Sequence, residues 1–419
     1  MPQIHKRQTD EQIRSVLAGY VSGELTLEAA ALQLGVGRSR FFALLSGYRR
    51  DPAGFSVEYR RSGRPFLSAD DEAAIRQVLL DDKRLVDDPD VPVRSFNYAA
   101  ARDRLEKDFE VKVSRPTVVA RAKAIGCYAA RRRAKAVHDR VVLTDNAGEL
   151  VQHDSSHHLF APDAGAKWHL ITSIDDHSRF LLFAGLFDQE TAWRHILAAQ
   201  SLVLDHGCPL NYYVDNHSIF RYVERRGSIH GRWDIPTDGV DTQWKQALGR
   251  CGVGVIYASG PQAKGKVERP YGWLQDRLVR TCAREKITRI DDGRAVLRAE
   301  VERYNCRQVH STTLEIPAVR LERAAREGRT CLRPFEPPAP ARSVKDVFCL
   351  REERVVDAYR RISLFTKSLR VPKAPPRETV AVNMVPDAAL KTVELRMWWR
   401  GQMVDVQHVD AADLKEVHF

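Results

Sequence analysis

The segment from Gly260 to Glu285 constrains the fold more than any other part of this 419-residue sequence. Apolar residues recur in it at intervals of four, three, four and four: Val267, Tyr271, Leu274, Leu278 and Cys282. This spacing predicts one face of a helix that packs against a core. Glu268 lies about 100° around the helix from Val267, on the flank of the buried face.

Seven basic residues surround that glutamate: Lys264, Lys266, Arg269, Arg277, Arg280, Arg284 and Lys286. Two interpretations are open for this segment alone. One is a solvated basic helix with a structural glutamate, and the other is a functional carboxylate among cations. The rest of the chain decides between them.

The composition favours a nucleic-acid partner. A formal net charge of +11 and a pI near 9.3 indicate a polyanionic ligand. Membranes are the weaker alternative, because the sequence has neither an 18-residue apolar run nor a signal-peptide pattern. The seven cysteines are scattered without a CxxC pair, which predicts a reducing compartment, no disulfide framework and no zinc site. We therefore expect a cytoplasmic protein that binds DNA and no membrane.

Residues 10–48 have the pattern of a small helical DNA-binding unit. One helix is predicted before Thr26, and Thr26 caps a second that ends at Leu34. A glycine turn at residues 35–37 leads into a basic helix with Arg38 and Arg40. This order is typical of a helix-turn-helix, whose second helix enters the major groove. A three-helix bundle of another kind is the alternative.

The pattern repeats further along the chain. Helices are predicted over residues 70–80 and 95–109, and Ser114 caps a third helix with Pro116 in its first turn. Residues 112–135 hold eight basic residues and no acidic one. The candidate DNA contacts in this second unit are Arg115, Arg121, Lys123, Arg131, Arg132 and Arg133. Two such units in tandem favour a bipartite DNA reader.

The centre of the chain has the order βββ-α-β-α-β-α, which is typical of an α/β domain with a mixed sheet. After a helical stretch and a proline-rich linker, the last 75 residues or so contain short strands that suggest a small β-barrel. The predicted fold is therefore multi-domain: all-α, then α/β, then all-β. The expected domains are 1–60, 61–140, 145–290, 291–330 and 345–419.

Three acids fall where this topology would bring them together. Asp154 lies in the first strand, Asp215 ends the fourth, and Glu268 opens the helix after the fifth. Strand C-termini and helix N-termini meet at one edge of an open sheet. Three converging carboxylates repel one another unless cations neutralise them, and hard oxygen ligands select Mg²⁺ or Mn²⁺. Two such ions about 4 Å apart can drive in-line phosphoryl displacement, with Lys264 and Lys266 holding phosphates.

Four groups of residues resemble one known family: the catalytic core of retroviral integrases and bacterial insertion-sequence transposases. The matching groups are Pro261-Gln262-x-x-Gly265-x-x-Glu268, Ile174 to Phe180 (IDDHSRF), Gly207-x-Pro209 before Asp215-Asn216, and Tyr304-Asn305 before His310-Ser311 and Ile316-Pro317. The resemblance covers about residues 145–325.

This resemblance implies an RNase H-like core with Asp154, Asp215 and Glu268 as catalytic metal ligands for two Mg²⁺ or Mn²⁺ ions. The function expected is a DNA transposase that binds terminal inverted repeats, nicks DNA and joins a 3′-hydroxyl to target DNA, as a homo-oligomer at the bacterial nucleoid. Two alternatives stay open. One is a regulator that keeps the fold without turnover, and the other is a nuclease of this fold that does not transfer strands.

The sequence departs from the family pattern in three places. Fifty-two residues lie between Asp215 and Glu268, a longer spacing than the resemblance implies, and residues 221–240 are interpreted as an inserted loop. His217 stands where the family usually has glycine. No paired-His, paired-Cys zinc module precedes the core. Asp234, Asp238 and Asp241 lack the Gly-x-x-Glu helix context, so Glu268 is kept as the third acid.

Overall fold

A computed structural model describes most of the chain. The described residues are 4, 7–57, 67–130, 143–221, 223–228, 231–236, 241–258 and 265–414, with only the backbone described for 223–228, 231–236 and 265–270. The chain divides into two compact units, Met1–Glu72 and Ala73–Phe419. None of the described helices is long and apolar enough to cross a membrane.

The described part of the first unit contains three helices, α1 (Asp10–Ser22), α2 (Leu27–Leu34) and α3 (Arg38–Arg50). Thr9 and Gln12 form a capping box at the start of α1, and the Thr26 side chain accepts the Ala29 N–H at the start of α2, as predicted. Gly35 ends α2 in the left-handed region with φ 60°, where glycine carries no side-chain penalty. The buried side chains of the three helices share one core, which includes Ile13, Leu17, Leu34, Phe41 and Leu45.

Three more helices open the second unit: α4 (Ala69–Asp87, whose first turn belongs to the first unit), α5 (Tyr98–Phe109) and α6 (Arg115–Ala124). Ser114 caps α6 as predicted. The α4 helix continues seven residues past the predicted end because Leu85 and Val86 pack against a buried cluster that includes Val279. The α5 helix begins three residues later than predicted because the Asn97 side chain caps it.

The central sheet has five strands in the order β3-β2-β1-β4-β7. Their bounds are β1 (Leu150–His158), β2 (Trp168–Asp175), β3 (Leu181–Phe187), β4 (Asn211–Val214) and β7 (Gly254–Tyr257). The β1–β2 and β2–β3 pairs are antiparallel, whereas β1–β4 and β4–β7 are parallel, which confirms the mixed sheet. The predicted insertion contains a backbone hairpin, β5 (Val223–Ser228) with β6 (Gly231–Pro236).

Helices cover both faces of this sheet. On one face, α9 (Gly265–Arg284) and α10 (Ile290–Cys306) enclose a core with strand residues such as Leu170 and Leu186. On the other face, α7 (Ala192–His206) and α8 (Gln243–Arg250) pack against Val151, Tyr212 and Val214. The predicted apolar stripe of α9 is buried at Tyr271, Leu274, Leu278 and Cys282.

The C-terminal part is an antiparallel sheet in the order β13-β12-β11-β8, with a separate β9–β10 hairpin. It follows α11 (Pro317–Arg326) and α12 (Val344–Val347), and its strands are β8 (Leu350–Val355), β9 (Arg361–Leu364), β10 (Lys367–Arg370), β11 (Thr379–Asp387), β12 (Thr392–Trp399) and β13 (Gln402–Asp410). The pairings described for residues 344–414 do not join these strands into a closed ring. A closed barrel therefore stays a prediction.

Buried ion pairs attach α4 and α5 to α9. Arg277 Nη2 donates to Asp103 Oδ2 at 2.5 Å, and both side chains are at most 5% exposed. One turn later, Arg280 donates to Asp82 and to the carbonyl oxygen of Ser95. Breaking a buried pair costs several kcal/mol because the remaining charge has no water around it. The α4–α5 pair and α9 therefore form one rigid assembly within the second unit.

The ion pair between Asp103 and Arg277 gives the first prediction. Asp103→Ala should lower the free energy of unfolding by about 3 kcal/mol, the low end for a broken buried pair, because Glu300 still lies 3.5 Å from Arg277. Urea denaturation of the full-length protein measures this change. Asp87→Ala is the control, since its pair with Lys83 is exposed and solvent screens it. Equal effects of the two variants would contradict the prediction.

Candidate active site

The parallel pairing of β1 with β4 places two of the predicted acids side by side. Gln152 pairs with Tyr213 in this register, so Asp154 and Asp215 stand at the same level, two residues further along each strand. Val214 belongs to the core beneath α7 and α8, and side chains alternate along a strand. Asp215 therefore faces the opposite side of the sheet, which is the side covered by α9. Both aspartates are half-buried residues.

The α9 helix runs along β1 on that same face. Thr172, the β2 residue that pairs with Asp154, donates its hydroxyl to the Tyr271 hydroxyl at 2.9 Å. A second bond lies further along both elements, two residues after Asp154 in β1 and one turn after Tyr271 in α9. There, Gln275 Nε2 donates to Ser156 Oγ at 2.6 Å. Burial, together with the nearby Asp154 carboxylate, raises the pKa of Tyr271, so its phenol stays protonated. Asp154 itself therefore lies close to α9.

The third predicted acid lies on α9 one turn before Tyr271. Glu268 is in the helix as predicted, but only its backbone is described. A rise of about 1.5 Å per residue puts its Cα about 4.5 Å along the helix axis from that of Tyr271. The backbone thus brings Glu268 to the neighbourhood of Asp154, and its side-chain position stays a prediction.

The donor chemistry fits a hard divalent cation. Two carboxylates at the same level of adjacent parallel strands are the oxygen ligands that Mg²⁺ and Mn²⁺ prefer. Among the described side chains no group of three His, Cys, Asp or Glu residues could hold a metal ion. The side chain that would supply the third ligand, Glu268, lies outside that set.

The other face of β1 carries a buried chain of hydrogen bonds, which we name the back-face network. It consists of Ser173, His153, His195, Glu190 and Ser155. His153 Nδ1 lies 2.8 Å from Ser173 Oγ, and His153 Nε2 lies 2.8 Å from His195 Nδ1. His195 Nε2 then lies 3.0 Å from Glu190 Oε1, the same oxygen that accepts the Ser155 hydroxyl. The network therefore bonds the residues on both sides of Asp154.

The protonation states of its side chains decide which group donates in each hydrogen bond of the back-face network. Burial opposes ionisation of Glu190, but hydrogen bonds from His195 and Ser155 outweigh it and lower the pKa of Glu190 to about 2. Glu190 is a carboxylate and can only accept, so His195 Nε2 carries a proton. Burial lowers the pKa of both histidines, which keeps them neutral with one proton each. His153 therefore donates to His195, and Ser173 donates to His153.

The turn after β2, residues Asp175 to Arg179, is a buried structural element. All five of these residues are at most 4% exposed. Asp175 accepts the N–H groups of Gly148 and Ser178, each at 2.8 Å, and the Ser178 hydroxyl at 2.5 Å. This segment carried part of the family resemblance, and its packing shows that it holds the end of β2 against the start of β1.

The candidate DNA contacts fall on three elements. Arg38 and Arg40 are exposed in the first turn of α3, and Arg38 lies over the Phe42 ring, with its Cζ 6.0 Å from the centroid. Arg115, Arg121 and Lys123 are on α6, where Lys123 Nζ lies 4.8 Å from the Tyr128 ring centroid. Three of the remaining candidates, Arg131, Arg132 and Arg133, lie outside the described residues, as does Lys264. Lys266 is in α9 with only its backbone described.

Sequence reasoning missed the back-face network. His153 and His195 are 42 residues apart and form no spacing motif. The one signal available was position, because His153 and Ser155 flank Asp154 and must share the face opposite to it in a strand.

Comparison with known proteins supports the family resemblance. The chain is 29% identical over 356 residues to the inferred transposase y4bF of Sinorhizobium fredii. The aligned residues cover 85% of this chain and 71% of that protein. It is 32% identical over 184 residues to the transposase for insertion sequence IS1202 of Streptococcus pneumoniae, covering 43% of this chain and 37% of that protein. No protein-family profile matches the chain. These relatives confirm the resemblance to insertion-sequence transposases.

Two solved structures are more distantly similar. One is a chain of the simian T-cell lymphotropic virus intasome in complex with PP2A regulatory subunit B56 gamma, with 11% identity, coverage of 73% of this chain and 95% of that chain, and a TM-score of 0.34. The other is the catalytic core of HTLV-2 integrase in complex with magnesium, with 17% identity, coverage of 42% and 99%, and a TM-score of 0.30.

The buried turn after β2 gives the second prediction. Ser178→Ala removes two of the bonds that surround Asp175 and Phe180 and should lower the free energy of unfolding by about 1–3 kcal/mol. Ser201→Ala is the matched control, because the hydroxyl of Ser201 bonds Asp205 at the surface. Thermal and urea unfolding of both full-length variants measure the difference. A Ser178→Ala protein as stable as the Ser201→Ala protein would contradict a structural role for this turn.

Proposed function

We propose that this chain, which is similar to insertion-sequence transposases, is a metal-dependent polynucleotidyl transferase. It would bind the inverted repeats at the ends of a DNA element, nick them, and join the resulting 3′-hydroxyl to target DNA. Its catalytic residues would be Asp154, Asp215 and Glu268. We expect it to act as a homo-oligomer on DNA in the bacterial cytoplasm.

One observation carries the proposal: the parallel register that sets Asp154 level with Asp215 on the face covered by α9. Carboxylates at the same level of neighbouring strands supply the hard oxygen ligands that Mg²⁺ and Mn²⁺ prefer. Glu268 on α9 would complete this set of ligands. Sites of α/β proteins are typically built where the ends of parallel strands meet.

The chemistry follows from that arrangement. The three carboxylates would hold two Mg²⁺ or Mn²⁺ ions, which when bound would activate a hydroxyl nucleophile and neutralise charge on the phosphate. The residues of this chain then have three tasks. Asp154 and Asp215 fix the position of the metal, Glu268 closes the site from the helix, and Lys264 and Lys266 would hold the flanking DNA phosphates.

Recognition of the element ends would fall to the helical parts. In a helix-turn-helix, residues at the N-terminal end of the second helix contact base edges. Arg38 and Arg40 hold that position on α3, with Phe41 and Leu45 buried beneath them. The corresponding residues of α6 would be Arg115, Arg121 and Lys123. Because α4 and α5 are attached to α9, DNA bound by α6 would lie at a fixed distance from the candidate active site.

The acids give the third prediction. Asp154→Asn, Asp215→Asn and Glu268→Gln should each abolish nicking and joining of an inverted-repeat duplex in Mg²⁺ or Mn²⁺, because each removes a metal ligand. Binding to the same duplex should persist. Gel-shift and cleavage assays on the same preparations separate the two properties.

Asp188→Asn is the control for the acid variants, since Asp188 is exposed beyond β3 and pairs only loosely with Arg194 at 3.7 Å. It should cut and join like the unaltered protein. Full cleavage by the Glu268→Gln variant would remove that residue from the site. Nicking by the unaltered protein without any joining would identify a nuclease of this fold. Binding without either reaction would identify a regulator.

The first helical unit gives the fourth prediction. Arg38→Ala or Arg40→Ala should reduce the preference for the inverted repeat over a scrambled duplex, because a bidentate Arg–guanine contact is worth about 1–3 kcal/mol of discrimination. Arg50→Ala changes a residue at the other end of α3. It should weaken binding to both duplexes equally or leave both affinities unchanged. Competition titrations of the full-length variants at two salt concentrations measure both effects. Unchanged preference in the first two variants would show that α3 does not read bases.

A further inference from the structure

We infer that Glu190, acting through the back-face network, is a positioning residue for the metal-binding carboxylates. This inference rests on the proposed function, because it assigns Asp154 and Asp215 to a metal site. Glu190 lies on the opposite face of the sheet from that site and is not itself a ligand. It acts by holding the backbone that carries the ligands.

The first argument is the geometry of β1. His153 and Ser155 precede and follow Asp154, and both point away from α9. The Ser155 hydroxyl bonds Glu190 directly, and His153 reaches Glu190 through His195. Two hydrogen-bonded connections from one carboxylate thus hold the β1 backbone on both sides of Asp154. A change in either connection would let the strand rotate and would move that carboxylate.

The second argument concerns Asp215. The His153 ring stacks on Trp244 with 5.5 Å between centroids and meets the edges of Tyr212 and Phe220 at 5.6 and 5.5 Å. Tyr212 lies three residues before Asp215, and Phe220 lies five residues after it. His153 therefore packs against both ends of the segment that carries the second carboxylate. The same buried ring contacts the supports of both candidate ligands.

The third argument is the cost of keeping these polar groups in the core. His153, His195 and Ser173 are at most 1% exposed, and a buried polar group that loses its hydrogen-bond partner destabilises the fold. The hydrogen bonds from Ser173 through His153 and His195 to Glu190 form one continuous chain. Apolar side chains could fill the same space without the cost of burying polar groups. A fully connected buried network is instead a means of specifying one geometry.

The test uses metal binding to the full-length protein, so that it does not depend on DNA cleavage. Glu190→Ala removes the acceptor of both connections and should raise the Mn²⁺ dissociation constant about tenfold, the lower end for residues that support metal ligands. Ser155→Ala breaks one connection and should raise it by less. Isothermal titration with Mn²⁺ gives the constants, and thermal unfolding without metal gives the stability of each variant.

A conservative variant separates positioning from simple stabilisation. Both donors meet the same oxygen, Glu190 Oε1, so the amide oxygen of Glu190→Gln can accept both and should restore the Mn²⁺ affinity. Glu394→Gln is the matched control, because Glu394 is similarly buried, with 13% exposure against 17% for Glu190, and it bonds Lys345 and Arg396 in the C-terminal sheet.

Four results would contradict the inference or its premise. Glu190→Ala that lowers stability but leaves the Mn²⁺ affinity unchanged would show a structural role only. Failure of Glu190→Gln to restore affinity would exclude the hydrogen-bonded connections. Asp154→Asn is the arm that tests the proposed function itself: retention of Mn²⁺ binding by that variant would mean that the site is not there. Should Glu190→Ala not fold, an unchanged affinity in Ser155→Ala would overturn the inference.

Discussion

The parallel pairing of β1 with β4 is the constraint on which the candidate site depends. It brings two carboxylates that are 61 positions apart in the chain to the same level of adjacent strands. A shift of the register by one residue would put Asp215 on the opposite face from Asp154. The apolar packing of Tyr212 and Val214 beneath α7 and α8 opposes that shift, because their side chains would then face α9.

The α9 helix connects this sheet to the helices that precede it in the chain. On one side Tyr271 and Gln275 hydrogen-bond to the strands that carry or adjoin Asp154. On the other, Arg277 and Arg280 are buried against α4 and α5. The residue that would complete the site, Glu268, thus belongs to a helix fixed from two directions. The candidate DNA contacts on α6, which packs against α5, therefore belong to the same compact unit as the candidate active site.

Much of this fold was predictable because local patterns decide it. Spacing and capping rules predict the apolar stripe of α9, the helix caps at Thr26 and Ser114, and the mixed order of the central strands. Long-range contacts were not predictable in the same way. The attachment of α5 to α9 by Asp103 and Arg277 depends on residues 174 positions apart, with no local signal. The buried histidines of the back-face network are equally distant in sequence.

The candidate acids were predictable from topology, since strand ends meet at one edge of a sheet. The register of Asp154 with Asp215 agrees with that reasoning, while the Glu268 side chain, the closed barrel and the DNA contacts remain predictions. The positions of the candidate acids follow from topology. The back-face network behind them arises from packing between segments that are distant in the sequence.

Crystals of the full-length protein soaked in Mn²⁺ would test the central claim most directly through anomalous diffraction at the manganese absorption edge. The account predicts anomalous density bounded by the carboxylates of Asp154, Asp215 and Glu268 on the α9 face of the sheet. Density elsewhere, or none at this position with the three carboxylates turned apart, would contradict it.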